Sequence, residues 1–345
     1  MNPLRRATLL VAGLLAAMPL RAADTELNVY SARHYQTDQR FYDDFTQKTG
    51  IKVNLIESAD AALMERLASE GANSPADVLI LVDAARLWRA EDAGLFQPIE
   101  SAVLSERIPD YLRSVDEGQG SHWFGVSRRA RIIVYNPAKV DGDKVRNYAD
   151  LANPALKGMV CTRSGTHPYM LSLIGAMVEH MGAGKAEQWA AGVVANFARS
   201  PRGGDTDQIK ATATGECGVA LTNSYYLARL MRSSKDVDRE IASKVKAVWP
   251  DQDGNGTHMN ATGIGVLKHA PHRDAAVRFV EYLTSDQAQR FLAAGNNEWP
   301  AVPSVKIDNP ALTALGEFKA DPLAIGKIGK AQLEAAKIVD RVGWR

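Results

Sequence analysis

Residues 222–230 read TNSYYLARL, two adjacent phenols directly behind an Asn-Ser pair, with an arginine three to four residues further on. On a strand Tyr225 and Tyr226 would point to opposite faces and could not act on one object. In the first turn of a helix capped by Asn223 or Ser224 they stand about 100° apart, and both lean past the helix end toward whatever lies in front of it. Two kinds of chemistry are open to phenols so placed. Neutral, each packs its ring and hydrogen-bonds its hydroxyl. Ionised, each offers an anionic oxygen suited to a hard cation, although a free phenol keeps its proton up to about pH 10.

The elements around the pair bring in two more phenols. ELNVYSA (26–32), IKVNLIE (51–57) and ADVLILV (76–82) read as strands, the last of the continuous apolar kind that is buried on both faces. Between them QTDQRFYDDFTQKTG and DAALMERLASEG read as helices closed by Gly50 and Gly71. The alternation resumes after RIIVYN, with GMVCTRS, a helix over residues 168–181, CGVALTN and the helix beginning at the tyrosine pair. This is α/β alternation in two doubly wound lobes. In such sheets ligands bind beyond the carboxyl ends of the strands, where helix N-termini also point. Tyr35, followed by a cap expected at Thr37, and Tyr169, behind a cap expected at Thr166 or Ser164, occupy the same kind of strand-to-helix junction as Tyr225 and Tyr226. Four of the ten tyrosines are thereby expected to open on one cleft, whereas Tyr42, beside Phe45, and Tyr282, in RFVEYL, read as packing residues.

Compartment narrows the possibilities. Arg5 and Arg6 precede an apolar run of 14 residues, from Ala7 to Leu20, and then small residues around Ala22. That is the pattern of a secretory signal peptide, too short to span a bilayer. Cleavage there removes three arginines of the 41 basic residues and none of the 40 acidic ones, so the mature balance is 38 against 40. Nothing in that balance points to nucleic acid. About 323 residues remain, 46% of the chain being hydrophobic, enough for two lobes. The two cysteines, Cys161 and Cys217, read as one disulfide in an oxidising compartment. Closing that loop stabilises by about 4 kcal/mol in the chain-entropy model.

From about residue 26 to about residue 305 the sequence resembles the ferric-iron-binding proteins of bacterial ABC importers. The resemblance is carried by YSARHYQTD, GANSPADVLILVDAARLWRAEDAGLFQPI, WFGVSRRARIIVYN, NFARSPRGGDTDQIKA, TNSYYLARL and GTHMNATGIGV. It implies a periplasmic binding protein of type II architecture: a signal peptide over 1–22, one lobe from 24–130 plus 258–300, a second from 131–257 plus 301–345, and hinge strands between them. It implies Fe(III) as the transported ligand, held by Tyr35, Tyr169, Tyr225 and Tyr226, with His34 as a fifth candidate and an anion or water completing the coordination. Arg129 and Arg229 are the implied neighbouring cations, Arg131 standing second to Arg129. The implied partner is an inner-membrane ABC permease, served by a periplasmic monomer that is not an enzyme.

Independent chemistry runs the same way. Four phenolates on Fe(III) leave one net negative charge, which a guanidinium at Arg129 or Arg229 would cancel. Arg229 is at i+4 from Tyr225 and i+3 from Tyr226, on their side of the helix. Taken singly, a tyrosine at a helix start is ordinarily a packed ring; convergence of four is what favours the metal. His122, His167 and His258 read as local or exposed residues. Two rivals remain: a receptor of the same architecture for a polyamine or an oxyanion, and a secreted hydrolase. Against the hydrolase, the sequence holds neither Gly-x-Ser-x-Gly nor His-Glu-x-x-His.

Overall fold

The computed structural model describes residues 24–114 and 120–345. The signal peptide read at 1–22 lies outside the described residues. Among the described residues nine strands appear in chain order: β1 (Glu26–Ser31), β2 (Lys52–Glu57), β3 (Val78–Leu81), β4 (Phe124–Tyr135), β5 (Val160–Cys161), β6 (Val219–Asn223), β7 (Lys246–Val248), β8 (Met259–Val266) and β9 (Trp299–Pro300). Around them run α1 (Gln39–Thr49), α2 (Asp60–Glu70), α3 (Ala84–Asp92), α4 (Ala102–Arg107), α5 (Pro168–Met181), α6 (Ala183–Ala195), α7 (Asp205–Thr214), α8 (Ser224–Met231), α9 (Asp236–Ser243), α10 (Arg273–Leu283), α11 (Asp286–Asn296), α12 (Pro310–Ala314) and α13 (Ile325–Val342).

The apolar strands sit where their composition demands. All four residues of β3 and all five of β6 are buried, as expected of strands covered on both faces. β1 pairs in parallel with β2 and β3, and β5 pairs in parallel with β6. α1 stops at Gly50, whose φ of 74° is the left-handed C-cap that glycine adopts without strain. Phe41, Tyr42 and Phe45 of α1 pack with Phe279 of α10 in the first core. A second core gathers Met170, Leu173 and Ile174 of α5 with Trp189 and Trp344.

Two long strands join these regions. The sheet runs β2-β1-β3-β8-β4-β6-β5, with β7 and β9 also on β4. Within β4, residues up to Ala130 pair with β8, the last at Met259, while Arg131 to Tyr135 pair with β6, the first at Asn223. One strand therefore changes partner between Ala130 and Arg131. α13 binds both cores, Ile325 and Ile328 entering the first and Ala335, Ile338 and Val339 the second. Gly329 makes its approach to α3 possible, since a Cβ there would stand 2.6 Å from the Ala84 carbonyl oxygen.

The helix caps differ in detail from the expected ones. At α5 the cap is His167 rather than Thr166 or Ser164: its imidazole nitrogen accepts the Tyr169 N–H, while the Ser164 and Thr166 hydroxyls bond each other at 2.8 Å. Before α1, Thr37 falls inside a short 3₁₀ turn (Gln36–Asp38), and its hydroxyl bonds Asn296 rather than capping the helix. At α8 the cap residue is Asn223, one of the two anticipated.

Candidate metal centre

The strand-to-helix junctions place the tyrosines as their spacing suggested. β6 ends at Asn223, so Ser224, Tyr225 and Tyr226 form the first turn of α8, with Tyr225 buried, Tyr226 half-buried and their ring centroids 4.2 Å apart. Tyr169 occupies the second position of α5, behind Pro168. Its hydroxyl lies 3.2 Å from that of Tyr225, so two helix N-termini aim phenols at one point. Tyr35 enters from the turn after β1, close enough that its charge would interact with those of Tyr226, Tyr225 and Tyr169. His34 is exposed, its ring stacked on Tyr35 at 5.9 Å.

Guanidinium groups surround these rings. The Arg129 carbon lies 5.4 Å and the Arg163 carbon 5.1 Å from the Tyr169 centroid; Arg33 lies 5.1 Å from Tyr35. Arg229 lies 5.8 Å from Tyr225 and 5.4 Å from Tyr226. Most of these cations are already matched. Arg33 donates to Asp38 at 2.8 Å and to Glu298 at 3.0 Å, and Arg129 stands 3.7 Å from the same Glu298. Arg131 pairs with buried Asp205, which Arg163 also reaches at 3.3 Å, and Arg131 further donates to Asn223 Oδ1 and the Leu221 carbonyl. Arg131 thus holds the strand end behind Tyr225, its charge matched by Asp205. Arg229 is exposed and makes no ion pair among the described residues, which leaves it as the uncommitted positive charge beside the tandem pair.

Burial favours the neutral form of Tyr35, Tyr169 and Tyr225. Tyr169 is pushed up to about 12, mainly by desolvation, against the pull of Arg129. Tyr225 is raised well above the ordinary phenol value by burial and then by Tyr169, Tyr226 and Tyr35. Tyr35 is raised by burial and by Glu298, with Arg33 and Arg129 opposing. Each neighbouring phenolate would repel the next, so ionising all four requires a cation among them. His167 is pushed down to about 3 by burial and by Arg163, so it stays neutral and serves as acceptor for the helix end. Among the described residues no three His, Cys, Asp or Glu side chains are grouped to hold a metal. The phenols are the gathered donors.

Behind Tyr169 and Tyr225, Cys161 and Cys217 form a disulfide with Cα atoms 5.9 Å apart. It ties β5 to the chain two residues before β6, the two strands whose ends lead to those tyrosines. Three residues of the site went unremarked in the sequence: Arg33, Arg163 and Glu298. Arg33 adjoins His34 within YSARHYQTD, a signal that was available. Glu298 gave none, because its partner Arg33 lies 265 residues away.

Matches to known proteins cover most of this chain. Residues 40–323 match the model of a bacterial extracellular solute-binding protein. Iron uptake proteins A1 and A2 of Synechocystis sp. are 47% and 45% identical, over 93% and 98% of this chain and 88% and 96% of theirs. A Trichodesmium protein, IdiA or FutA, solved in complex with iron and citrate ligands, is 50% identical with a TM-score of 0.88, over 93% of this chain and all of that one. A ferric binding protein from Campylobacter jejuni is 39% identical with a TM-score of 0.85, over 92% of this chain and all of that one. On the extent of the family match and on these identities, the chain belongs to the bacterial extracellular solute-binding protein family.

Proposed function

We propose that this protein captures Fe(III) between its lobes as a tyrosinate complex and delivers it to an ABC permease. The ligands are Tyr35, Tyr169, Tyr225 and Tyr226, with His34 as the fifth candidate. One observation carries the reading: the Tyr169 and Tyr225 hydroxyls stand 3.2 Å apart at two helix N-termini, with Tyr226 and Tyr35 beside them, inside a ring of guanidinium groups. Binding of iron supplies the field that removes the four phenolic protons, and Arg229 offsets the single negative charge of the product. The iron and iron–citrate relatives described above support the same cargo.

The lobe division proposed is 24–130 plus 258–300 against 131–257 plus 301–345. It is supported by the change of partner in β4 at Ala130 and Arg131; within the last segment, α13 serves both cores. A periplasmic monomer with no catalytic role fits a cleft built of phenols and guanidinium groups, which offers a polyamine too few acids. No described helix is long and apolar enough to cross a membrane. Metal analysis and a visible spectrum of the purified mature protein test the proposal. One equivalent of iron with a phenolate-to-iron charge-transfer band is expected; a colourless protein that takes up no Fe(III) would refute it.

A further inference from the structure

Helix α8 carries more than the paired phenols. At its C-terminal end the Arg232 guanidinium donates to Asn297 Oδ1 at 2.7 Å and to the Ala294 carbonyl at 3.2 Å, both at the end of α11. Asn297 is buried and holds left-handed backbone, φ 56°, which asparagine tolerates better than most residues. The same Oδ1 accepts from Asn309 Nδ2 at 2.9 Å. The flanking residues reach elsewhere. Asn296 Nδ2 donates to Asp38 at 3.1 Å and its Oδ1 accepts from Thr37 at 3.2 Å, in the turn that follows Tyr35. Glu298 accepts from Arg33 and stands near Arg129, the cations behind Tyr35 and Tyr169.

Three consecutive side chains thus grip the turn of Tyr35, the guanidinium pair behind the cleft and the helix of Tyr225 and Tyr226. Beside this bridge opens a cavity of about 780 Å³, lined by Thr37, Arg40 and Gly295 on one side and by Arg229, Arg232 and Lys235 on the other. Where the bridge does not hold the two faces, open space separates them.

We propose that Asn297, acting through Arg232, is a positioning residue of the metal centre: it sets where the Tyr225–Tyr226 helix stands relative to Tyr35. The inference rests on the reading of these phenols as iron ligands. A metal shared by ligands from two regions tolerates only a few tenths of an ångström of misplacement, so the supporting contacts determine how long it stays bound. Asn297 touches none of the phenols; its effect passes through α8.

The test uses the full mature chain. Asn297→Gly keeps the left-handed backbone and deletes the acceptor; Asn297→Asp keeps an oxygen for both the Arg232 and the Asn309 donors; Arg232→Gln breaks the same bond from an exposed side chain. Release of Fe(III) to an excess of competing chelator is expected to quicken roughly three- to tenfold in Asn297→Gly and in Arg232→Gln, the worth of one partly exposed charge-assisted bond. Asn297→Asp should release no faster than the unmodified protein, and the Asn297→Gly/Arg232→Gln double variant no faster than either single one. Spin labels at exposed Glu65 and Lys185 give a readout free of metal: their distance distribution should broaden in Asn297→Gly. Unchanged release in both Asn297→Gly and Arg232→Gln, with unchanged distances and an intact visible band, would overturn the role. An unmodified protein without the band would overturn the iron reading and this role with it, while the metal-free distances still report whether the bridge orders the two faces.

Discussion

Tyr225 and Tyr226 stand in the first turn of a helix that starts directly at the end of β6, and Tyr169 in the first turn of α5, whereas Tyr35 lies outside any helix, one residue ahead of the 3₁₀ turn that leads into α1. The first group is held by local features: a Pro at the first helical position, an imidazole cap, and a disulfide just behind the strands. Tyr35 is held by distant ones, through Arg33 to Glu298 and through Asp38 to Asn296. Three of the proposed ligands are therefore placed mainly by local structure, and the fourth is held in position by tertiary contacts. On the proposed iron reading, binding should draw the population toward the form in which Tyr35 is in reach of the other three phenols.

The comparison makes Tyr225→Phe/Tyr226→Phe the most damaging change. The rings keep their packing, but both coordinating oxygens go, so the charge-transfer band should all but vanish and affinity should fall well beyond the roughly 10- to 100-fold typical of losing a supporting residue. Tyr282→Phe, which loses one bond to Asp44 at 2.7 Å, should leave the spectrum as it was. A coloured, tight-binding double variant would break the first half of the comparison.

Tyr35→Phe should have a smaller and different effect. The three remaining phenols still bind, giving a weaker, shifted band, but iron no longer links the two sides. Small-angle scattering should then give the same radius of gyration with and without iron, where the unmodified protein contracts. Full contraction in Tyr35→Phe would mean that the second group closes the cleft by itself.

pH should sharpen the contrast between empty and loaded protein. In the metal-free state Tyr169 titrates near 12 and Tyr225 also well above the unfolded phenol value near 10. Raised values mean that the native state holds protons the unfolded chain releases, so this contribution is full below pH 10 and is lost as pH climbs from about 10 through 12. Iron reverses the sign, because the loaded phenols are already deprotonated and protons compete with the metal. Urea unfolding of the empty protein should weaken between pH 10 and 12, while the band of the loaded protein should fade on acidification instead.

Reducing the Cys161–Cys217 bond is the mildest of these perturbations to binding. It should lower stability by about 4 kcal/mol in the chain-entropy model, read as a shifted urea midpoint, with the band retained once the protein is refolded with iron. Before reduction, the unfolded protein should show no titratable thiol.

Much of this was legible because it is local. The span of α5, the stops at Gly50 and Gly71, the four junction tyrosines and the cysteine pair all follow from patterns within about fifteen residues, where periodicity and capping act. The cap at α5 was misplaced because His167 is rarely a cap in an open chain; here burial and Arg163 keep its ring neutral and able to accept. Arg129 and Arg131 could be assigned to one strand face by alternation, but their different partners could not, since Asp205 and Glu298 reach them only through the fold.

The sequence by itself placed four tyrosines at strand-to-helix junctions, because strand and helix periodicity place neighbours a fixed angle and rise apart. Only the tertiary structure decided which guanidinium is uncommitted and where Tyr35 comes to rest. Those outcomes depend on ion pairs and hydrogen bonds between residues hundreds of positions apart, Arg33 with Glu298 and Asp38 with Asn296 among them. Charge pairing of that kind acts through space over a few ångströms, and no spacing along the chain encodes it.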